Sequence, residues 1–297
     1  MFEQDYAAFW REFIALYGRR AYGQALALLQ HYPHQFPQPG LMYHWKMCLA
    51  ARAYDLDLAV QALNEALAAG YAYPAALIRD DDDLAALQGI PAYQELVSLS
   101  LRRFAEVQTR TTPELLLLPP AQMGVAQLPL PLALHGDWQN ARLAASDWQP
   151  MAAHGWLLAC AQSSELVIPD AYIWNDLDRG TSDVAHLSQL LNTKEMIGPE
   201  RVVLGGFGVA GGLAIYLAVT GAIKARGCLV VGASQCDLEL LKPYLDTAAA
   251  RGLRGYIVTG LQVPTEGQEL VRNIHALFST RGIPCELEEH PEIAHAF

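Results

Sequence analysis

Residues 202–215 read Val-Val-Leu-Gly-Gly-Phe-Gly-Val-Ala-Gly-Gly-Leu-Ala-Ile, an apolar run, a glycine-rich turn and a second apolar run of helical character. Few architectures bury such a unit on all sides. The β-branched start suits a strand covered on both faces, and the glycines allow a sharp turn with close backbone approach. The flanking sequence repeats the theme. Short apolar runs at 130–134, 156–161, 202–204, 228–231, 256–259 and 285–288, with 115–118 as an earlier candidate, predict strands. Amphipathic stretches at 146–153, 183–193, 210–220, 238–249 and 266–280 predict the helices between them. Continuous apolar strands alternating with helices predict an α/β domain with a mostly parallel sheet and helices on both faces.

The N-terminal third has a different grammar. Residues 1–118 hold 5 of the 23 glycines. Segments 2–17, 22–30, 41–53 and 56–69 place apolar residues at helical spacing, separated by short Gly, Pro or Asp breaks, which predicts an all-α domain. The last two segments carry Tyr43, Ala50, Ala51 and Tyr54, then Ala59, Leu63, Ala66 and Leu67, with small residues where helices must approach closely. That pair resembles a tetratricopeptide helix–turn–helix, which implies a helical-repeat groove able to hold a peptide or protein partner. The acidic run Asp80–Asp83 lacks the Asp/Asn/Gly spacing of a calcium loop and is expected to cap a helix and face solvent, so no metal ligand is assigned. Prolines 113, 119, 120, 129 and 131 mark a junction. The expected division is a helical domain at 1–110, a junction at 111–127 and an α/β domain at 128–297.

Charge excludes some partners. With 20 Lys+Arg against 31 Asp+Glu, the net charge is −11, and basic residues never cluster beyond a pair. Nucleic acid or an anionic membrane surface would need grouped Lys/Arg, so neither is an expected partner. The acidic, charge-broken start offers no export signal, and no run is long enough for a membrane span. Five scattered cysteines without CxxC spacing read as reduced thiols, for which the expected location is the cytoplasm.

Two chemistries use a strand, glycine turn and helix. Gly206, Gly208 and Gly211 spell G-x-G-x-x-G, the pattern that holds a dinucleotide pyrophosphate at a helix N-terminus. The acidic residue expected about 20 residues on, at the end of the next strand, is missing, because that strand ends Val230-Val231-Gly232-Ala233-Ser234-Gln235. No cofactor is therefore assigned. The other use is a nucleophile elbow, where small residues flank a nucleophile raised above the sheet.

The segment resembles the Gly-Phe-Ser-x-Gly-Gly elbow of the phospholipase/carboxylesterase branch of the α/β-hydrolase family. Gly206, Phe207 and Gly211 match, Ala210 replaces a glycine, and Gly208 stands at the serine. Leu134-His135-Gly136-Asp137-Trp138 looks like the family's His-Gly oxyanion loop, and 290–297, His-Pro-Glu-Ile-Ala-His-Ala-Phe, looks like its final loop. The resemblance spans residues 128–297. It implies an oxyanion hole from the His135–Gly136 loop and the Val209 N–H, and His295 as the base. The family's Gly-x-x-Asp acid falls on Val263, leaving Glu266 as the nearest carboxylate, which more naturally starts a helix.

The resemblance thus implies a catalytically degenerate serine-esterase scaffold that binds a small acyl or ester-like ligand, lined by His135–Trp138, Tyr172, Trp174, Val209 and His295. Two alternatives stand beside it. One is an active carboxylesterase or thioesterase with a displaced nucleophile from Ser163, Ser164, Ser234 or Cys236. The other is a dinucleotide-binding protein.

Overall fold

The computed structural model describes residues 2–31, 38–120, 128–192 and 197–291. These divide into two compact units, residues 1–110 together with the short segment 167–170, and residues 111–166 with 171–297.

The helical unit runs α1 (Phe2–Gly18), α2 (Tyr22–His31), α3 (Pro39–Arg52), α4 (Leu56–Ala68), α5 (Ala75–Ile78), a 3-10 turn (Asp82–Leu87) and α6 (Pro91–Arg110). Start signals follow helix-end chemistry. Pro39 and Pro91 sit in first turns, where the missing N–H has no intrahelical partner anyway, and Asp55 caps α4 by accepting the Leu58 N–H at 3.1 Å. Ala50, Ala51, Ala59, Leu63, Ala66 and Leu67 are all buried, as the spacing of α3 and α4 predicts, whereas Tyr54, read with them, is exposed. Tyr73 is fully buried and donates its hydroxyl proton to the Gly40 carbonyl at 2.7 Å, while its N–H donates to Ser100 Oγ at 2.8 Å. The acidic run is less solvated than expected. Asp80 is exposed beside Arg79, but Asp81 is half-buried and turns toward α3.

Beyond residue 110 the chain forms β1 (Glu114–Leu118), β2 (Leu128–Leu134), α7 (Ala141–Ala153), β3 (Leu158–Gln162), β4 (Leu166–Ile168, most of which falls in the segment grouped with the first unit), β5 (Ala171–Tyr172), α8 (Leu177–Asn192), β6 (Ile197–Phe207) and α9 (Val209–Thr220). It continues through β7 (Gly227–Val231), α10 (Leu238–Leu241), a 3-10 turn (Lys242–Tyr244), α11 (Leu245–Ala250), β8 (Arg254–Gly260), α12 (Thr265–Thr280) and β9 (Cys285–His290). Seven strands form one sheet in the order β1-β3-β2-β6-β7-β8-β9, all parallel except β1, which pairs antiparallel with β3; β4 and β5 form a separate two-stranded sheet.

The strand candidate at 115–118 forms β1, within the segment read as a junction. Two features differ from expectation. The helix expected over 238–249 breaks at Pro243 into two short helices joined by a 3-10 turn, since a proline removes an intrahelical hydrogen bond. The β4–β5 pair, with Asp170 at φ 71°, was not expected at all.

Strand β6 lies at the centre of the sheet, and α9 is the most buried helix. Every α9 residue from Val209 to Val219 except Tyr216 is buried. Its apolar surface all round is what a helix packed on several sides requires. Among the described residues no helix is long and apolar enough to cross a membrane.

Candidate functional site

The parallel pairing Ala133↔Gly205 and Phe207↔Val231 brings the carboxyl ends of β2, β6 and β7 side by side, where ligands bind in open α/β sheets. Gly208 turns the chain from β6 into α9 with φ 61° and ψ −125°. That conformation lies outside the ordinary region for side-chain-bearing residues. Its carbonyl accepts from Gly211 N–H (3.1 Å), Gly212 N–H (3.3 Å) and Ser234 N–H (2.9 Å), and its own N–H donates to the Val231 carbonyl (3.1 Å). Four hydrogen bonds therefore hold the elbow.

The neighbouring glycines exist for proximity. A Cβ at Gly206 would lie 2.5 Å from the Ala210 carbonyl carbon and oxygen, and one at Gly212 would lie 2.4 Å from the Ser234 oxygen. Val209 opens α9, so its N–H belongs to the first turn, where donors have no partner within the helix.

The loop after β2 sits against this turn. A Cβ on Gly136 would lie 3.1 Å from Phe207 Cδ1, and the Gly136 N–H donates to Gln139 Oε1 at 2.9 Å. Asp137 and Trp138 follow half-buried, Trp138 at φ 61°.

His135 has a different place from the ligand-lining one expected. It is completely buried, its Nε2 accepts the Ser163 N–H at 3.2 Å, and its Nδ1 lies 2.7 Å from the Gly136 carbonyl. An accepting Nε2 fixes the proton on Nδ1, so both ring nitrogens are engaged by backbone. Burial pushes its pKa down to about 4, with the Gly136 hydrogen bond opposing. His135 is a neutral core residue at this end of the sheet. Trp174 packs against it with the rings tilted at 32° and their centroids 5.0 Å apart, and donates its indole N–H to the His135 carbonyl at 3.0 Å, while the Tyr172 ring is 6.2 Å away.

A cavity of about 80 Å³ opens beside the elbow, lined by Trp174, Val209, Tyr216, Gln235, Cys236 and Asp237 among others. Trp174 and Val209 were expected there. Cys236 was expected only as a displaced nucleophile, and its neighbours Gln235 and Asp237 were not expected, whereas Gly136, Asp137, Trp138 and Tyr172, expected as lining, do not line this cavity. Burial and the adjacent Asp237 push the Cys236 thiol up to about 12, so it stays protonated near neutral pH.

Glu266 is exposed in the first turn of α12 and does not line the cavity. Val263 occupies the position after β8 and is buried. His295 lies outside the described residues. Of the alternative serines, Ser163 Oγ accepts the Glu165 N–H at 2.9 Å, Ser164 Oγ donates to Asp183 Oδ1 at 3.2 Å, and the Ser234 backbone N–H donates to the Gly208 carbonyl at the elbow.

Comparison with known proteins follows the same division. Residues 5–108 match the family model described as A/B hydrolase-like, N-terminal domain. Among curated proteins there is no match. The solved structure of an uncharacterized protein from Bacillus cereus ATCC 10987 aligns over 98% of this chain and 94% of that chain, with 20% identity and a TM-score of 0.54. Esterase 2 of Thermogutta terrifontis, phosphoramylated by tabun, aligns over 62% of this chain and 80% of that one, at 17% identity and a TM-score of 0.48. The helical unit thus matches an A/B hydrolase-like N-terminal family model, and the sheet unit has the mostly parallel, helix-covered architecture of an α/β-hydrolase-like fold.

Proposed function

We propose that the α/β unit is a hydrolase-like scaffold that has lost its nucleophile and holds a small acyl or ester-like ligand beside the elbow without cleaving it. The observation that carries this reading is Gly208, which occupies the apex of the elbow at φ 61° and ψ −125° with no side chain to react. A serine-type covalent route begins from a hydroxyl at that apex, activated by a base that an acid orients. Glycine removes the first atom of the route, and Val263 offers no carboxylate after β8. The displaced-nucleophile alternative loses support at Cys236, whose buried thiol stays protonated near neutral pH. A ligand of a few non-hydrogen atoms fits the cavity, whose lining includes Val209 in the first turn of α9. The helical unit fits a role in holding a peptide or protein partner.

Hydrolysis of p-nitrophenyl acetate tests this reading. The parent protein is expected to match a heat-denatured control, whereas Gly208→Ser combined with Val263→Asp raises the rate by about 100-fold or more, in the range that a positioned base and nucleophile supply. Catalytic turnover by the parent would overturn the reading. A silent double variant that remains folded would show that the pocket no longer accepts an ester.

A further inference from the structure

Helix α3 and the turn before the 3-10 segment bring together three side chains, two of them on one helix and the third 33 residues beyond Cys48. His44 and Cys48 lie one turn apart on the same face of α3, both buried, and Asp81 meets them from the far side. His44 Nε2 is 3.5 Å from Asp81 Oδ2 and 3.6 Å from Cys48 Sγ, and Cys48 Sγ is 3.8 Å from Asp81 Oδ2. The Leu77 carbonyl oxygen stands 2.9 Å from the same Nε2. We propose that His44, Cys48 and Asp81 form a binding site for a divalent cation of the zinc class, which ties α3 to the 3-10 turn of the helical unit.

Three arguments support the site. The first is size. Zinc bonds of about 2.0 to 2.3 Å to nitrogen, oxygen and sulfur give tetrahedral edges of about 3.3 to 3.6 Å, so the three donors need to close by only a few tenths of an ångström. The second is donor chemistry. Thiolate, imidazole and carboxylate together suit a borderline cation such as Zn²⁺ and are a poor set for Ca²⁺ or Mg²⁺, which take oxygen donors. The third is charge. Thiolate and carboxylate together neutralise a dication, so the filled site carries no net charge into a half-buried position. Asp81 is also pre-oriented, because its Oδ1 accepts the Asp83 N–H at 2.9 Å and leaves Oδ2 facing the other two ligands. Asp83 in turn accepts the Tyr17 hydroxyl and lies 3.6 Å from Arg52 Nε, which fixes the turn that presents Asp81.

Binding has a defined proton balance. The cation replaces the Cys48 thiol proton, which leaves to solvent, and the imidazole proton resides on Nδ1 so that the Nε2 lone pair is free to coordinate. Without the cation the same atoms make an ordinary hydrogen-bonded cluster, Nε2–H to the Leu77 carbonyl and S–H to Asp81. The experiment distinguishes the two. The untagged full chain, stripped with chelator, is titrated with Co²⁺ and followed by absorption. The expected result is one equivalent bound, with d–d bands of a four-coordinate ion and a thiolate-to-cobalt charge-transfer band, both bleached by one equivalent of Zn²⁺.

Cys48→Ser should remove the charge-transfer band, and Asp81→Asn, at the more accessible rim, should weaken binding by about tenfold or more while keeping the far-ultraviolet circular dichroism of the parent. Cys236→Ser and Cys285→Ser should leave the spectrum unchanged. No stoichiometric thiolate band in the parent, or a band that survives Cys48→Ser, overturns the site and leaves the hydrogen-bonded cluster. If Cys48→Ser fails to fold, an Asp81→Asn variant that binds Co²⁺ as tightly as the parent overturns it equally.

Discussion

Acidification from pH 6.5 to about 4 is expected to remove about 3 kcal/mol of stability from the α/β unit through His135 alone. The imidazole is fully buried and accepts a backbone N–H through Nε2, so the folded protein takes up its proton only near pH 4. The unfolded chain takes it up around the ordinary value of 6.5. Between those values the unfolded state binds more protons, so stability rises with pH across the window. It is fully present above about 6.5 and is lost as pH falls toward the folded-state value. Urea unfolding at a series of pH values, compared between the parent and His135→Gln, checks this. The variant is expected to be less stable at pH 7, where it leaves the Ser163 N–H with a poorer partner, and to show a flatter pH dependence that closes the gap by pH 4. Parallel pH profiles would show that His135 is not held neutral.

Replacing Gly206 with alanine is expected to destabilise the same unit by about 3 kcal/mol or more, one of the larger effects a single methyl can have. The new Cβ would lie 2.5 Å from the Ala210 carbonyl group, which is helix backbone in the first turn of α9 and cannot move without displacing the elbow. Gly212→Ala meets the Ser234 carbonyl oxygen at 2.4 Å and should behave alike. Gly211→Ala is the contrast. Its nearest new neighbour is at 3.3 Å, so its effect should be much smaller. Thermal or urea unfolding of the three variants should give Gly206 and Gly212 well above Gly211. Equal effects would mean that the glycines serve backbone flexibility and not close approach.

The elbow was legible in the sequence because its constraints are local. Glycines at 205, 206, 208, 211 and 212 in a strand-to-helix context admit few geometries, and the strand candidates at 130–134, 202–204, 228–231, 256–259 and 285–288 all lie within strands of the one sheet. What the sequence did not show depends on distant pieces meeting. The Gln235–Asp237 wall of the cavity follows β7 but lies over α9. The antiparallel role of β1 comes from its partner β3, since a leucine run has no direction of its own. His135 shows a subtler limit. A His-Gly pair after a strand fits a ligand loop by pattern, yet the side chain turns inward to the Ser163 backbone and Trp174. Asp81 is similar, since four consecutive carboxylates suggest a solvated face until α3 delivers His44 and Cys48 to one of them.

On the proposed reading the elbow keeps its shape without a nucleophile. The most direct test of that reading is to treat the protein with a fluorophosphonate and locate any adduct by mass spectrometry. No adduct is expected on the parent chain, and labelling at position 208 is expected once Gly208→Ser is introduced. An adduct on Ser234, Ser163 or Ser164 of the parent would contradict the reading and identify a working serine hydrolase.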